Sequence, residues 1–323
     1  MPACRIEDYQ DHEAGRAELI SWLVATDTHG LDAQVWRRRL AHWWDNNPFS
    51  ALCPERGWVL RHEGRLVGYM GLIPARYVVH GSPAPAYMAS TWRVDEAHRN
   101  ASLPMFMRLK RLGSQHLVVD STPTPEVQEL MRRSGWTVCG TVRKHFLALG
   151  LAGRMLHGRG SPPLSPGLRL TCDPEDVQSV AVGCHAADLV KGATPASLRW
   201  FMGSPMREHA FVGVVDAAGC LTSHLVLTPT RVRGIPAWLA VDHFTARSSH
   251  EELHALAGAV VRGGVLPRGR LLLSLAAFPG DATWDGLRAL HSREEQVCHH
   301  FLMPEAFKGL RKQTVLAEGD WGL

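Results

Sequence analysis

Apolar and polar positions along this chain form two long stretches with the same order, one before residue 150 and one after 168. In the first, an amphipathic segment at 35–44 stops at Trp44-Asp45-Asn46-Asn47-Pro48. Proline disfavours helical geometry in the residue before it, so the segment is expected to end there. An apolar strand follows, Gly57-Trp58-Val59-Leu60, then a polar turn and the run Leu66-Val67-Gly68-Tyr69-Met70-Gly71-Leu72-Ile73. A second apolar run ends Thr91-Trp92-Arg93-Val94. The polar loop 95–101 opens a helical segment at 103–112, and a strand, His116-Leu117-Val118-Val119, precedes an amphipathic segment that stops at Ser134-Gly135-Trp136.

The second stretch repeats the order. Leu198-Arg199-Trp200-Phe201-Met202 ends at Gly203-Ser204-Pro205, and an apolar strand runs Ala210-Phe211-Val212-Gly213-Val214-Val215. A turn and a second strand, Ala218-Gly219-Cys220-Leu221-Thr222, lead on to a helix and to Leu271-Leu272-Leu273-Ser274-Leu275. An amphipathic helix is predicted around Trp284-Asp285-Gly286-Leu287-Arg288-Ala289-Leu290. The offset between matching elements drifts from about 157 to about 150 residues, a period that means two copies of a whole domain and not a solenoid. Between them, Gly158-Arg159-Gly160-Ser161-Pro162-Pro163 and Ser165-Pro166-Gly167 read as a linker, because proline and glycine in such density sustain neither helix nor central strand. The expected division is a first domain at 1–150, a linker at 151–168, a second domain at 169–305 and a C-terminal tail at 306–323.

Composition narrows the class. The chain has 323 residues, 45% apolar and 20% charged, as ordinary globular proteins do, and its length suits two domains. No apolar run is long enough to span a bilayer. The N-terminus, Met1-Pro2-Ala3-Cys4-Arg5-Ile6-Glu7-Asp8, is too polar for a signal peptide. Seven scattered cysteines without a Cys-x-x-Cys pair suggest reduced thiols and a cytoplasmic home. The net charge of +4 and basic clusters such as Arg37-Arg38-Arg39 are read first as solvated helix faces.

The strand–loop–helix–strand–helix order at 57–136 resembles the core of the GNAT N-acyltransferase superfamily. The doubled layout is similar to that of mycothiol-synthase-like and FemAB-like transferases. The resemblance implies an α/β (α+β) fold of two GNAT-like domains, each a mixed, mostly antiparallel sheet flanked by helices. It implies acetyl-CoA or another acyl-CoA as donor substrate, the amine of a small metabolite as acceptor, direct attack of that amine on the thioester, and no metal. The family loop, Arg/Gln-x-x-Gly-x-Gly/Ala, begins five residues after a valine that ends the fourth strand. Val94 is that valine here and Arg99 falls at the required spacing, with Asn100, Ala101 and Ser102 after it and Pro104 at the second glycine position. Trp92, Arg93, Val94, Arg99, Asn100, Ala101 and Ser102 are therefore the expected donor-binding residues, Ser102 serving as helix cap and hydroxyl donor. Pro104 lacks one N–H that a pyrophosphate would use. In the second half the corresponding loop, Arg247-Ser248-Ser249-His250-Glu251-Glu252, carries carboxylates that repel phosphate.

Amide acylation needs a base for the amine and an acid for the leaving thiolate. Met88 stands where the family often has a Glu, and Met131 where it has a Tyr. Ser90 shares a face with Met88 by strand alternation, whereas Tyr87 points to the other. Ser90, Asp120 and Glu96 are the expected catalytic substitutes, with Ser121 and His98 as neighbours. Each has a plainer reading: a small sheet residue, a helix cap, a solvated loop residue. Asp242 and His243, adjacent on a strand, face opposite ways and cannot both serve one cleft. His250-Glu251-Glu252-Leu253-His254 matches His-Glu-x-x-His, but positions 257 and 261 are Ala and Val, so a third zinc ligand has no assignment and a solvated helix face is expected. Two further readings stay open. One is a FemAB-like transferase that takes its donor from aminoacyl-tRNA; the other is a non-catalytic GNAT-fold binding protein. Within the leading reading, a thioester on an acyl carrier protein is the alternative to acyl-CoA as donor.

Overall fold

The computed structural model describes residues 4–28, 30–157, 163–183, 188–247, 249–320 and 322–323. In the first half, β1 (Arg5–Asp8) is followed by α1 (Glu13–Ala25) and α2 (Ala33–Leu40), which runs into a wider π-helical turn at Ala41–Asp45. Then come β2 (Gly57–His62), β3 (Arg65–Val79), β4 (Ser82–Val94), a 3-10 turn (Glu96–Ala101), α3 (Leu103–Gly113), β5 (Leu117–Asp120), α4 (Pro125–Arg133) and β6 (Thr137–Ala148). After α5 (Gly150–His157) and the short β7 (Arg169–Thr171), β8 (Ser179–Val180) and β9 (Leu189–Lys191), the order recurs. It runs α6 (Pro195–Met202), β10 (Ala210–Val215), β11 (Cys220–Val232), β12 (Ile235–Thr245), α7 (Glu251–Arg262), β13 (Leu272–Ala277) and β14 (His291–Leu302). Local chemistry starts the helices: Asp32 accepts from the Val35 N–H at 2.8 Å, and Thr194 and Ser197 form a reciprocal cap around Pro195. Among the described residues no helix is long and apolar enough to cross a membrane.

All fourteen strands join one mixed sheet, ordered β1-β2-β3-β4-β5-β14-β6-β13-β12-β11-β10-β7, with β8 and β9 added beside β11 and β3. The order reads nearly the same from either end. Along that order each arm is antiparallel except at one pair, β4 with β5 and β12 with β13; the added β8 also runs parallel to β11. At the centre the last strand of each half has changed places: β14 lies beside β5 of the first half, and β6 lies beside β13 of the second.

Alternation along the strands divides the interior. On one face of the first half, Tyr87 and Val118 meet Phe106, Leu109 and Met131 of α3 and α4. On the same face of the second half, Leu225 and Leu273 meet Leu253, Leu256 and Val260 of α7. The opposite face carries one core common to both halves, in which Trp36, Trp43, Met88, Val226 and Leu316 are buried. Met88 and Tyr87 fall in different cores, as alternation requires.

Three expectations need correction. The linker at 151–168 begins as α5, docked on α7: the position of a Gly153 side chain would lie 2.7 Å from the Val261 carbonyl oxygen. Residues 158–162 of that stretch, and Cys184, lie outside the described residues. The helix predicted around Trp284 is a turn, because Gly286 takes a left-handed φ of 81° and the Trp284 indole donates to the Ala276 carbonyl at 2.9 Å. The tail at 306–323 is no tail: Thr314, Val315, Leu316, Ala317, Glu318 and Asp320 are all buried.

Candidate functional site

Parallel β4 and β5 are paired through Ala86, Tyr87 and Met88, and beyond Met88 they part. Two features of β4 shape the gap. Its register with β3 slips between Tyr69 and Gly71, so that β4 carries an extra residue, and Thr91 within that bulge has a φ of 53°. A β-branched residue is rarely left-handed, so this conformation is held by its surroundings. Ser90 lies just before the bulge; Asp120, Ser121 and Thr122 stand where β5 ends.

Residues 313–320 run past this gap and tie the halves together. The Ala317 N–H donates to the Val241 carbonyl at 2.8 Å, and Tyr77 donates to the Glu318 carboxylate. Gly319 packs on Ser121 with a φ of 63°, where a side chain would stand 2.5 Å from the Ser121 hydroxyl. Asp320 then accepts from Ser90 at 2.6 Å, Thr122 at 2.9 Å and Ser121 at 3.4 Å. Asp120 accepts from the Thr122 N–H at 3.1 Å. Burial, and next the Asp320 carboxylate, push the Asp120 carboxyl up to about 8. A low-dielectric site disfavours the charged acid, and a neighbouring carboxylate adds to the effect.

A cleft with about 50 Å³ of space open to water adjoins the gap on the shared core face. Met88, Tyr77, Lys191, Phe201, Asp242 and Glu318 are among its walls. Lys191 donates to Asp242 at 3.0 Å and to the Ala317 carbonyl at 2.7 Å, and its ammonium sits over the Phe201 ring. Burial, the largest single cause, opposes ionisation of Asp242, but Lys191, through its charge and hydrogen bond, together with His224 and His243 holds the carboxyl below its ordinary value. His243, on the other face of β12, turns to Asp281 and the Trp284 ring.

The structure brings Ser90 and Asp120 together around Asp320, which sequence reasoning placed in a tail. The signal available for Asp320 was the apolar run Val315-Leu316-Ala317, too apolar for a solvated terminus. Glu96 is exposed on the 3-10 turn with Arg99 and Asn100, and Ala101 is half-buried there. Trp92 stacks on Phe106 at 5.7 Å, next to Val94. The Arg93 guanidinium is committed elsewhere, to Asp27 at 3.0 Å and to the Trp36 ring. Ser102 does not cap α3 as expected: its hydroxyl donates back to the Arg99 carbonyl at 2.6 Å, and its own N–H donates there as well. The loop therefore enters α3 already wound, with Pro104 in the first turn.

The second half has a matching splay, since β12 and β13 pair only through Ala237, Trp238 and Leu239 and β12 carries an extra residue against β11. In its loop Glu252 is buried, accepting from Thr222, Ser223 and Arg247; of the His-Glu-x-x-His residues, Glu251 is exposed and His254 turns to the Thr283 carbonyl at 2.8 Å. Ser248 of that loop lies outside the described residues.

No family model matches the sequence, and the comparison with curated proteins finds no match. Solved structures do match in shape. A GCN5-related N-acetyltransferase from Anabaena variabilis aligns with 93% of this chain and 72% of its own at 11% identity, with a TM-score of 0.60. One from Kribbella flavida aligns with 93% and 71% at 11% identity and a TM-score of 0.58. Eis1 from Mycobacterium abscessus aligns with 92% and 73% at 13% identity and a TM-score of 0.54. The chain has the fold of the GCN5-related N-acetyltransferases.

Proposed function

We propose that this protein is an acyltransferase whose thioester donor, acetyl-CoA or a longer acyl-CoA, enters the gap between β4 and β5 and whose acceptor amine approaches from the adjoining cleft. The observation that carries the reading is the buried carboxyl pair, Asp120 and Asp320, set with Ser90 at the point where the two parallel strands part. The fold shared with N-acetyltransferases supports it.

In this reading an amine attacks the thioester carbonyl directly. The C–N bond forms as the C–S bond breaks, and the carboxyl pair takes the amine's proton and passes it to the departing thiolate, a task suited to a group titrating near the working pH. Asp120, pushed up to about 8 by burial and by Asp320, meets that condition without the glutamate that Met88 replaces. Ser90 and Thr122 hold Asp320 in place by donating to it. Arg99, exposed on the turn before α3, meets the donor's phosphates, and Trp92, Asn100, Ala101 and Ser102 border them. Glu96 lies near enough along the chain to be tested as a third acid. Tyr77, Lys191, Asp242 and Glu318 make a cleft wall suited to a polar or cationic acceptor.

The mirrored strand order further suggests that the two halves, 1–150 and 169–305, are duplicates that exchanged their last strands, the first retaining donor binding.

Calorimetric titration with acetyl-CoA and longer acyl-CoAs tests the donor assignment, with Arg99→Glu as control. Micromolar binding that weakens at least about tenfold in the variant supports it, since the change replaces a phosphate contact by repulsion. Absence of binding to every acyl-CoA would remove the donor and direct the search to a carrier-bound thioester or aminoacyl-tRNA.

A further inference from the structure

Away from the carboxyl pair, three side chains converge at the outer end of the first half. The Cys4 sulfur lies 3.8 Å from His62 Nδ1 and 3.7 Å from His98 Nδ1. The two imidazoles stand 4.6 Å apart centre to centre, and the three ligand atoms lie within 4.8 Å of one another. All three residues are half-buried. We infer that Cys4, His62 and His98 form a binding site for a single zinc-like divalent cation.

The fold assembles the cluster from distant sequence for structural reasons. Antiparallel pairing of β1 with β2 sets Arg5 opposite Arg61, which brings Cys4, one residue before β1, beside His62 at the end of β2. His98 arrives from the 3-10 turn between β4 and α3, 94 residues from Cys4 in sequence. Cys4 packs among Ile6, Trp92, Val94 and Ala101 against the core beneath α3, so strands and turn approach as one packed unit.

The donor set selects the ion. One thiolate and two imidazole nitrogens suit zinc and its borderline neighbours, whereas magnesium and calcium require oxygen ligands. Zinc–sulfur and zinc–nitrogen bonds of about 2.3 and 2.0 Å at tetrahedral angles separate sulfur from nitrogen by about 3.5 Å. The observed sulfur–nitrogen distances of 3.7 and 3.8 Å lie within a few tenths of an ångström of that. Three protein ligands leave the fourth position to water or to an incoming oxygen donor. An ion here would fasten the β1–β2 edge to the turn that also carries Arg99. The site rests on its own three ligands and is independent of the acyltransferase reading.

The test uses full-length protein stripped with a chelator and titrated with zinc alone against a chromogenic competitor, with cobalt as a spectroscopic substitute. One equivalent of zinc is expected to bind, and cobalt to show the thiolate-to-metal charge-transfer band and the intense visible bands of a tetrahedral site. Cys4→Ser, His62→Gln and His98→Gln are each expected to weaken binding at least about a hundredfold, since loss of outer partners alone weakens such sites by 10–100-fold. Zinc is expected to raise the melting temperature of the parent chain and of none of the three variants. A cobalt complex without the thiolate band overturns the site whether or not any variant folds. So does zinc affinity unchanged by all three substitutions, or a parent chain that takes up no stoichiometric metal.

Discussion

The Ser90 hydroxyl donates to the Asp320 carboxylate at 2.6 Å across 230 residues of sequence. That contact joins β4 of the first half to a segment that has already passed through the second. It holds Asp320 near Asp120, so the electrostatics of the first half depend on residues made last.

Replacing Asp320 by Asn removes a charge that helps push the Asp120 carboxyl up to about 8. The Asp120 midpoint should fall, while burial, the larger cause, still keeps it above the ordinary carboxylate range. Carbon-13 detection of the Asp120 carboxyl across a pH series reads this directly. An unmoved midpoint would mean that the two carboxyls do not sense each other. Acyl transfer by the variant should drop by roughly 10²-fold or more if the pair handles the proton.

Stability should pass through a maximum near pH 7. His42, His209, His224 and His299 are depressed to about 4 by burial from an ordinary 6.5, so they contribute stability above 6.5 that is lost as pH falls toward 4. Asp120 has the opposite sign. Its raised carboxyl contributes stability that is complete below its ordinary 3.8 and is lost as pH rises through 8. The predicted slope from this one group is about 1.4 kcal/mol per pH unit between those limits, falling with pH. Urea unfolding at about pH 5, 7 and 9 should show a fall above about pH 7 in the parent chain that is absent in Asp120→Asn, with the acid side retained. An identical profile in both proteins would refute the assignment.

Gly319→Ala should loosen the last segment. Its new methyl would stand 2.5 Å from the Ser121 hydroxyl and 2.9 Å from the Ser121 backbone nitrogen, in a left-handed conformation that alanine avoids. A loss of about 1–3 kcal/mol is expected, together with faster hydrogen exchange at Ala317, whose N–H bonds Val241. Unchanged exchange there would show that the segment is held by other contacts.

Fragments divided within the Pro/Gly-rich stretch should not fold singly. A first fragment lacks the β14 edge for β5, and a second lacks the β6 partner for β13. Co-expression should recover a soluble one-to-one complex; two fragments each giving a cooperative melt alone would contradict the observed pairing.

Much of the fold was legible because local patterns decide local structure. The apolar run from Leu66 into β3, the run ending at Val94 and the helix after Ser102 each have a single plausible period. Strand partners are another matter: periodicity identifies β6 and β14 as strands, but nothing along the chain says that they exchange neighbours. The helix expected at Trp284 failed because its indole finds a better place under Ala276 than a helical face offers. The dense prolines and glycines after residue 157 hid α5, whose own residues are compatible with helix. Ser90 and Asp120 could be nominated from their strand ends. For Asp320 the apolar run before it signals burial alone, since its partners lie 198–230 residues away.

The exchanged strands also set a timetable for synthesis. β5 is complete long before the strand that covers its outer edge exists, for β14 begins at His291. At 5–20 residues per second, the roughly 170 intervening residues leave that edge open for about ten to thirty seconds on the ribosome. An apolar edge such as Leu117-Val118-Val119 is a template for pairing with any other extended chain nearby. The same arrangement that locks the finished molecule therefore makes its first half dependent on protection while the second is being made.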